Sequence, residues 1–185
     1  MRPVSKRKAI GSAAVLIALA GASWLYAQRK PTKLTAIDYS EIQELYANYA
    51  QALDLNQPEN LAATFADDGE LVASKGPGQA TAVRTPIHGH DALVQNERRH
   101  GNFGSRHLTS NLVIKQTADG VRATCYLVDI NTKNDPATLI ETGVFDAIVV
   151  KTASGWKFKK LVVWRDNDDI TPFKAEVSAR ESQRR

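Results

Sequence analysis

Four long runs rich in β-branched and aromatic residues occupy the second half of the chain. They are His107 to Thr117, Val121 to Asn131, Leu139 to Lys151 and Trp156 to Asp166. Ala118-Asp119-Gly120, Lys133-Asn134-Asp135-Pro136 and Ala153-Ser154-Gly155 separate them, and each separator is a turn signal. A parallel neighbour needs a crossover of about a dozen residues or more, so strands joined this tightly fold back as an antiparallel meander. Helices must then come earlier in the chain and pack on one face of the sheet, which makes the fold class α+β.

The first half supplies those helices. Asp38 to Asp54 reads as amphipathic, with Ile42, Leu45, Tyr46, Tyr49 and Leu53 on one stripe and Asp38-x-x-Glu41 as a capping box. Asn56-Gln57-Pro58 breaks it and opens a short second helix that buries Leu61, Ala62 and Phe65. Asp67-Asp68-Gly69 reads as the turn that closes it. A short strand over Glu70 to Ser74, a loop over Lys75 to Gln79 and a second strand over Ala82 to Ile87 follow. His90 to Arg99 reads as a third helix with Leu93 and Val94 inward.

Charge divides the chain unevenly. Seven basic residues precede the first acidic one, Asp38, and from there 17 basic residues face 20 acidic ones. The net charge of +4 therefore belongs to the N-terminus, and the domain lacks the basic stripe of a nucleic-acid binder. MRPVSKRK is followed by 19 uncharged residues, Ala9 to Ala27, and then by Gln28-Arg29-Lys30-Pro31. This order predicts either a cleaved export signal or a membrane anchor over residues 1–30. Small Ala20 and Ala22 favour cleavage, whereas Trp24 and Tyr26 beside Arg29 and Lys30 favour an interfacial anchor. Either way the domain is expected outside the cytoplasm. Residues 31–37 read as a linker, 38–170 as the domain and 171–185 as a charged tail. The single cysteine, Cys125, excludes an internal disulfide and a cysteine zinc cluster.

Glu41 to Leu71 resembles the opening of SnoaL-like domains, members of the nuclear-transport-factor-2-like superfamily. Ser105-Arg106-His107-Leu108-Thr109-Ser110-Asn111 resembles that family's Arg-His-x-x-x-Asn strand start. Ser154-Gly155-Trp156-Lys157-Phe158 resembles its Gly-Trp-Arg/Lys-Phe entry to the final strand. The resemblance implies a cone, with three N-terminal helices wrapped by a curved antiparallel sheet around a pocket. It also implies a wide choice of activities, because the fold hosts dehydratases, isomerases, dehydrochlorinases, hydrolases, cyclases and plain binders.

Dehydratase and dehydrochlorinase members of the family use an Asp–His pair inside the cone. By motif those positions are Asp54 and His107, and Tyr49 matches a tyrosine of some steroid-processing relatives. The chemistry suits the residue types. An imidazole titrates near neutrality and can remove a C–H proton, a carboxylate on its other nitrogen fixes the tautomer, and a phenol can stabilise a developing oxyanion. By residue type alone, Asp54 could equally end its helix on backbone groups, and His107 could be a core histidine. Tyr46 and Tyr49 lie on the apolar stripe and are core by default, with substrate contact as the alternative.

Tyr126, Asp129, Asp146 and Trp164 are further pocket candidates, although alternation does not say which face is inside. Trp164 joins Tyr46 and Tyr49 as an expected substrate contact. His88, His90 and Asp91 make only a weak metal signal, and no metal or cofactor is expected. Arg165-Asp166 and Asp168-Asp169 read as surface charge at a strand end. Three functions compete: a lyase or isomerase acting on a small hydrophobic molecule without a cofactor, a module of the same fold that binds a ligand or dimerises, and a subunit whose sheet packs on a partner. A partner-packed sheet would show an apolar outer face.

Overall fold

Thr35 and Asp38 start the first helix together, each satisfying the other's backbone. Asp38 N–H donates to Thr35 Oγ1 at 3.2 Å, and Thr35 N–H donates to Asp38 Oδ2 at 2.8 Å. The helix cap therefore lies at Thr35, and Asp38 is the acidic third residue of the box rather than its first. The structure, a computed structural model, describes residues 33–73, 85–100, 104–117 and 120–166. The expected anchor or signal, part of the linker, the loop Lys75 to Gln79, the start of the expected second strand, Asp168-Asp169 and the tail lie outside the described residues. The compact unit begins at Thr35. No helix among the described residues is long and apolar enough to cross a membrane.

Helix α1 (Ala36–Asp54) buries Ile42, Leu45, Tyr46 and Tyr49, the stripe read from the sequence. Asn56 turns the chain with φ 52°, and Pro58 opens helix α2 (Pro58–Ala63). Strand β1 (Phe65–Ala73) starts earlier than expected and runs through Asp67-Asp68-Gly69, which is not a turn. An irregularity between Phe65 and Glu70 hides the strand from a period-2 reading. Gly69 is needed there for close approach: a Cβ would stand 2.8 Å from Ala66 O and 2.9 Å from Phe158 O. Strand β2 (Thr85–His88) and helix α3 (His90–His100) follow, with Leu93, Val94 and Glu97 buried.

The meander is present as β3 (Ser105–Thr117), β4 (Gly120–Asn131), β5 (Thr138–Thr152) and β6 (Gly155–Arg165). Strand order is β2-β1-β6-β5-β4-β3, an open curved sheet. The sheet is mixed rather than wholly antiparallel, because β1 lies parallel to β6 while every other pair is antiparallel. That pairing joins strands far apart in sequence, which turn signals cannot reveal. Strand β3 is bulged between Ser110 and Val113, and Asn111 sits there at φ 57°.

Register and burial separate the two faces of the sheet. Val121, Ala123, Cys125 and Leu127 of β4 are buried, as are Phe145, Ala147 and Val149 of β5. With Phe158, Leu161 and Val163 of β6 they form the face that receives α1. Tyr46 meets Phe158 edge-on at 5.1 Å, and Tyr49 meets Phe65, Phe145 and Phe158 at 6.0, 5.7 and 5.7 Å. These five rings form the core, and each is worth up to about 3 kcal/mol in area removed from water, before entropy is charged.

Candidate functional site

Helix α1 ends against the start of β3, and that junction brings Asp54 and His107 together. His107 Nδ1 lies 2.7 Å from Asp54 Oδ1. The backbone N–H of His107 also donates to both oxygens of the same carboxylate, at 3.2 and 3.1 Å. Three contacts therefore hold the carboxylate square to the strand. An ionised carboxylate only accepts, so Nδ1 carries the imidazole proton and Nε2 is the basic nitrogen. Both side chains are about nine-tenths buried, at 10% and 9% exposure.

Strand pairing adds more ionisable groups on the same inner face. Asp129 lies opposite His107 on β4, and its Oδ2 is 3.7 Å from His107 Nε2. Glu141 lies opposite Asp129 on β5 and is ion-paired with Arg165 of β6. A polar row thus crosses four adjacent strands, with Asp54 leaning in from α1. Three carboxylates face one guanidinium and one imidazole. Burial pushes the Asp129 carboxyl above its ordinary range, and the nearby Glu141 and Asp54 carboxylates add to the shift; His107 and the Ser105 hydroxyl oppose it. Asp129 Oδ1 is buried without a hydrogen-bond partner among the described residues.

The three expected substrate contacts are placed elsewhere. Tyr46 is 2% exposed and donates its hydroxyl to Ala123 O at 2.7 Å. Tyr49 is 3% exposed inside the ring cluster. Burial raises the pKa of both phenols. Both are core residues, as the helix stripe allowed. Trp164 pairs with Val144, and Val144 pairs with Tyr126, so all three share the outer face, opposite Phe145 and Asp54. A one-residue step along a strand reverses the face, which removes Trp164 from the inner site.

Asp146 also faces outward, where its two oxygens accept from Nε and Nη2 of Arg122, each at 2.6 Å. Arg165, read as surface charge, instead belongs to the inner row. Of the pocket candidates read from the sequence, Asp129 lies on the inner face; alternation counted inward from the bulges would have added Glu141 and Arg165, but only with the register known. Cys125 is buried, and burial pushes its thiol up to about 12. His88 and His90 are exposed, and no cluster among the described residues is arranged to hold a metal ion.

A groove of about 500 Å³ runs along the far side of α1, lined by Glu44, Asn48, Gln51, Gln57, Trp156 and Lys157 among others. It reaches neither Asp54 nor His107, so it is distinct from the apolar cavity expected around them.

The chain resembles several solved structures across this fold. A protein of unknown function with a cystatin-like fold from Nostoc punctiforme is 28% identical, with a TM-score of 0.63 over 73% of this chain and 96% of that one. A putative scytalone dehydratase from Novosphingobium aromaticivorans is 26% identical, with a TM-score of 0.55 over 70% and 84%. A protein from Catenulispora acidiphila, solved in complex with S-DNPA, is 28% identical, with a TM-score of 0.59 over 72% and 96%. No match was found among curated proteins. The model of the SnoaL-like domain matches residues 35–162, from the cap of α1 into β6. With the helices, the curved sheet and that match in agreement, the chain belongs to the SnoaL-like domain family.

Proposed function

We propose that the protein is a lyase or isomerase that works without a cofactor on a small hydrophobic molecule, with His107 as its base and Asp54 as the residue that orients and charges that base. The 2.7 Å contact between His107 Nδ1 and Asp54 Oδ1 carries this reading. Nε2 takes a proton from a carbon next to a carbonyl, and the Asp54 carboxylate stabilises the imidazolium that forms. A dehydratase-type reaction is supported by the family and by the likeness to a putative scytalone dehydratase. Export is part of the proposal, with residues 1–30 as signal or anchor.

The test begins with ligands recovered by mass spectrometry from protein purified from its native membrane fraction. Candidate substrates are then offered to the wild type, Asp54→Asn and His107→Ala. Unchanged turnover in both variants, with folding intact, would end the catalytic reading. Fractionation tests export, and a protein found in the cytoplasm at full length would refute that part.

A second reading has its own support, a binding or dimerisation module. The outer sheet face exposes Leu108, Val113 and Tyr126, at 54%, 46% and 57%, beside half-buried Val144 and Trp164. A concentration-dependent dimer that Tyr126→Lys dissociates, in a protein without turnover, would favour this module.

A further inference from the structure

We propose that Asp129 is the second proton-transfer residue of the site, the acid that works beside the base His107. This rests on the lyase or isomerase reading and adds to it the group that protonates the departing oxygen. The observation is positional. Asp129 is 6% exposed, one of its oxygens has no partner among the described residues, and the other lies 3.7 Å from the nitrogen assigned as base. A buried polar atom left unpartnered is rare and costly, and a catalytic role is one of the few reasons a fold keeps one. The charges around it come from each packed element: Asp54 from α1, His107 from β3, Glu141 from β5, and Arg165 from β6, which Glu141 engages. Burial, with two further carboxylates in the same cluster, favours a proton on Asp129.

The steps balance. In a β-hydroxy carbonyl substrate, His107 Nε2 takes the proton next to the carbonyl, and the C–H pair becomes the new π bond. The C–O bond breaks, and its electron pair takes the Asp129 proton to give water. The site is left with an imidazolium and a carboxylate 3.7 Å apart, about 0.5 Å beyond hydrogen-bond reach. Transfer from Nε2 to Asp129 after that short approach restores both groups with no outside acid or base. An Asp129 that began ionised could not start the cycle, so the resting proton is the crux.

Isotope-edited infrared spectroscopy of the full chain, labelled at aspartate carboxyls, tests this without a substrate. The carbonyl band of a protonated carboxyl is followed as pH rises from acid. The expected result is one component that outlasts the others, is missing in Asp129→Asn and persists in Asp54→Asn. Loss of the whole band at the same pH in wild type and Asp129→Asn would overturn the proposal while leaving the His107 reading intact. Should Asp129→Asn fail to fold, Asp129→Glu, which carries no label at that position, must remove the late component, and a late component that survives in it overturns the assignment equally. On a β-hydroxy ketone that the wild type dehydrates, Asp129→Asn should lower kcat about 10²–10⁴-fold, as removal of a general acid does. It should also abolish the alkaline fall of the rate. Normal turnover with that fall retained would contradict the proposal. Turnover lost in Asp129→Asn but kept in His107→Ala would instead break the dyad reading.

Discussion

Helix α1 carries a carboxylate to the sheet at each end, and the two are treated in opposite ways. At its start, Asp38 receives the Lys151 ammonium at 2.6 Å, the Trp156 indole N–H at 3.1 Å and the Thr35 backbone and hydroxyl. Lys151 before all, then Thr35, holds the Asp38 carboxyl well below the usual carboxylate range, and Asp38 and Glu41 hold the Lys151 ammonium above its own. At the other end Asp54, Asp129 and Glu141 crowd one imidazole and one guanidinium. In the first cluster the Asp38 carboxylate has a donor on each oxygen, and it fixes the helix on the sheet. The second carries more acid than its cations balance and leaves an oxygen unpartnered, which stability alone would not select.

The contrast is broken most decisively by changing its acid-rich end. Asp54→Asn and His107→Ala should abolish most turnover while the protein stays folded; a triad aspartate changed in this way costs about 10⁴-fold, and a smaller loss fits a site that is less enclosed. Steady-state rates with circular dichroism on the same samples decide it. At the Asp38 end the effects should reverse. Trp156→Ala removes a buried ring and the indole bond to Asp38, so denaturant unfolding should show a loss of about 3–5 kcal/mol. The rate per folded molecule should not change. Thr35→Ala removes only the cap and should cost about 1 kcal/mol.

Acidity gives the two ends opposite signs. Asp38 has a depressed folded pKa, so its contribution is present above the ordinary 3.8 and is lost as pH falls through the lowered value. Asp129 has a raised one, so its penalty begins as pH climbs past 3.8 and is complete above the raised value. Asp38→Asn should therefore lower Tm at pH 7 more than near pH 3. Asp129→Asn should raise Tm at pH 7 relative to its effect near pH 3. Thermal melts of both variants at the two pH values check this, and equal signs would erase the distinction.

The helices were legible because a 3.6-residue stripe is a local signal: Ile42, Leu45, Tyr46 and Tyr49 are buried as read. The cap was displaced because Thr35-x-x-Asp38 and Asp38-x-x-Glu41 fit one pattern, and only the Lys151 and Trp156 contacts show which one the fold uses. The meander was legible from its turns. The parallel β1–β6 pair was not, since nothing near Phe65 announces Phe158. Asp54 and His107 could be singled out only through the family resemblance. Asp129, Glu141 and Arg165 form their row through register and bulges, which no single strand records.

Asn111 sets where that row points. Its left-handed backbone lies in the bulge of β3, four residues beyond His107. An asparagine tolerates that conformation, and a valine or isoleucine there would press the strand flat. The imidazole would then leave the end of α1 although no group of the site had changed. Variation at this position offers lineages and engineers a dial: the imidazole can be re-aimed from a residue that stands outside the cluster.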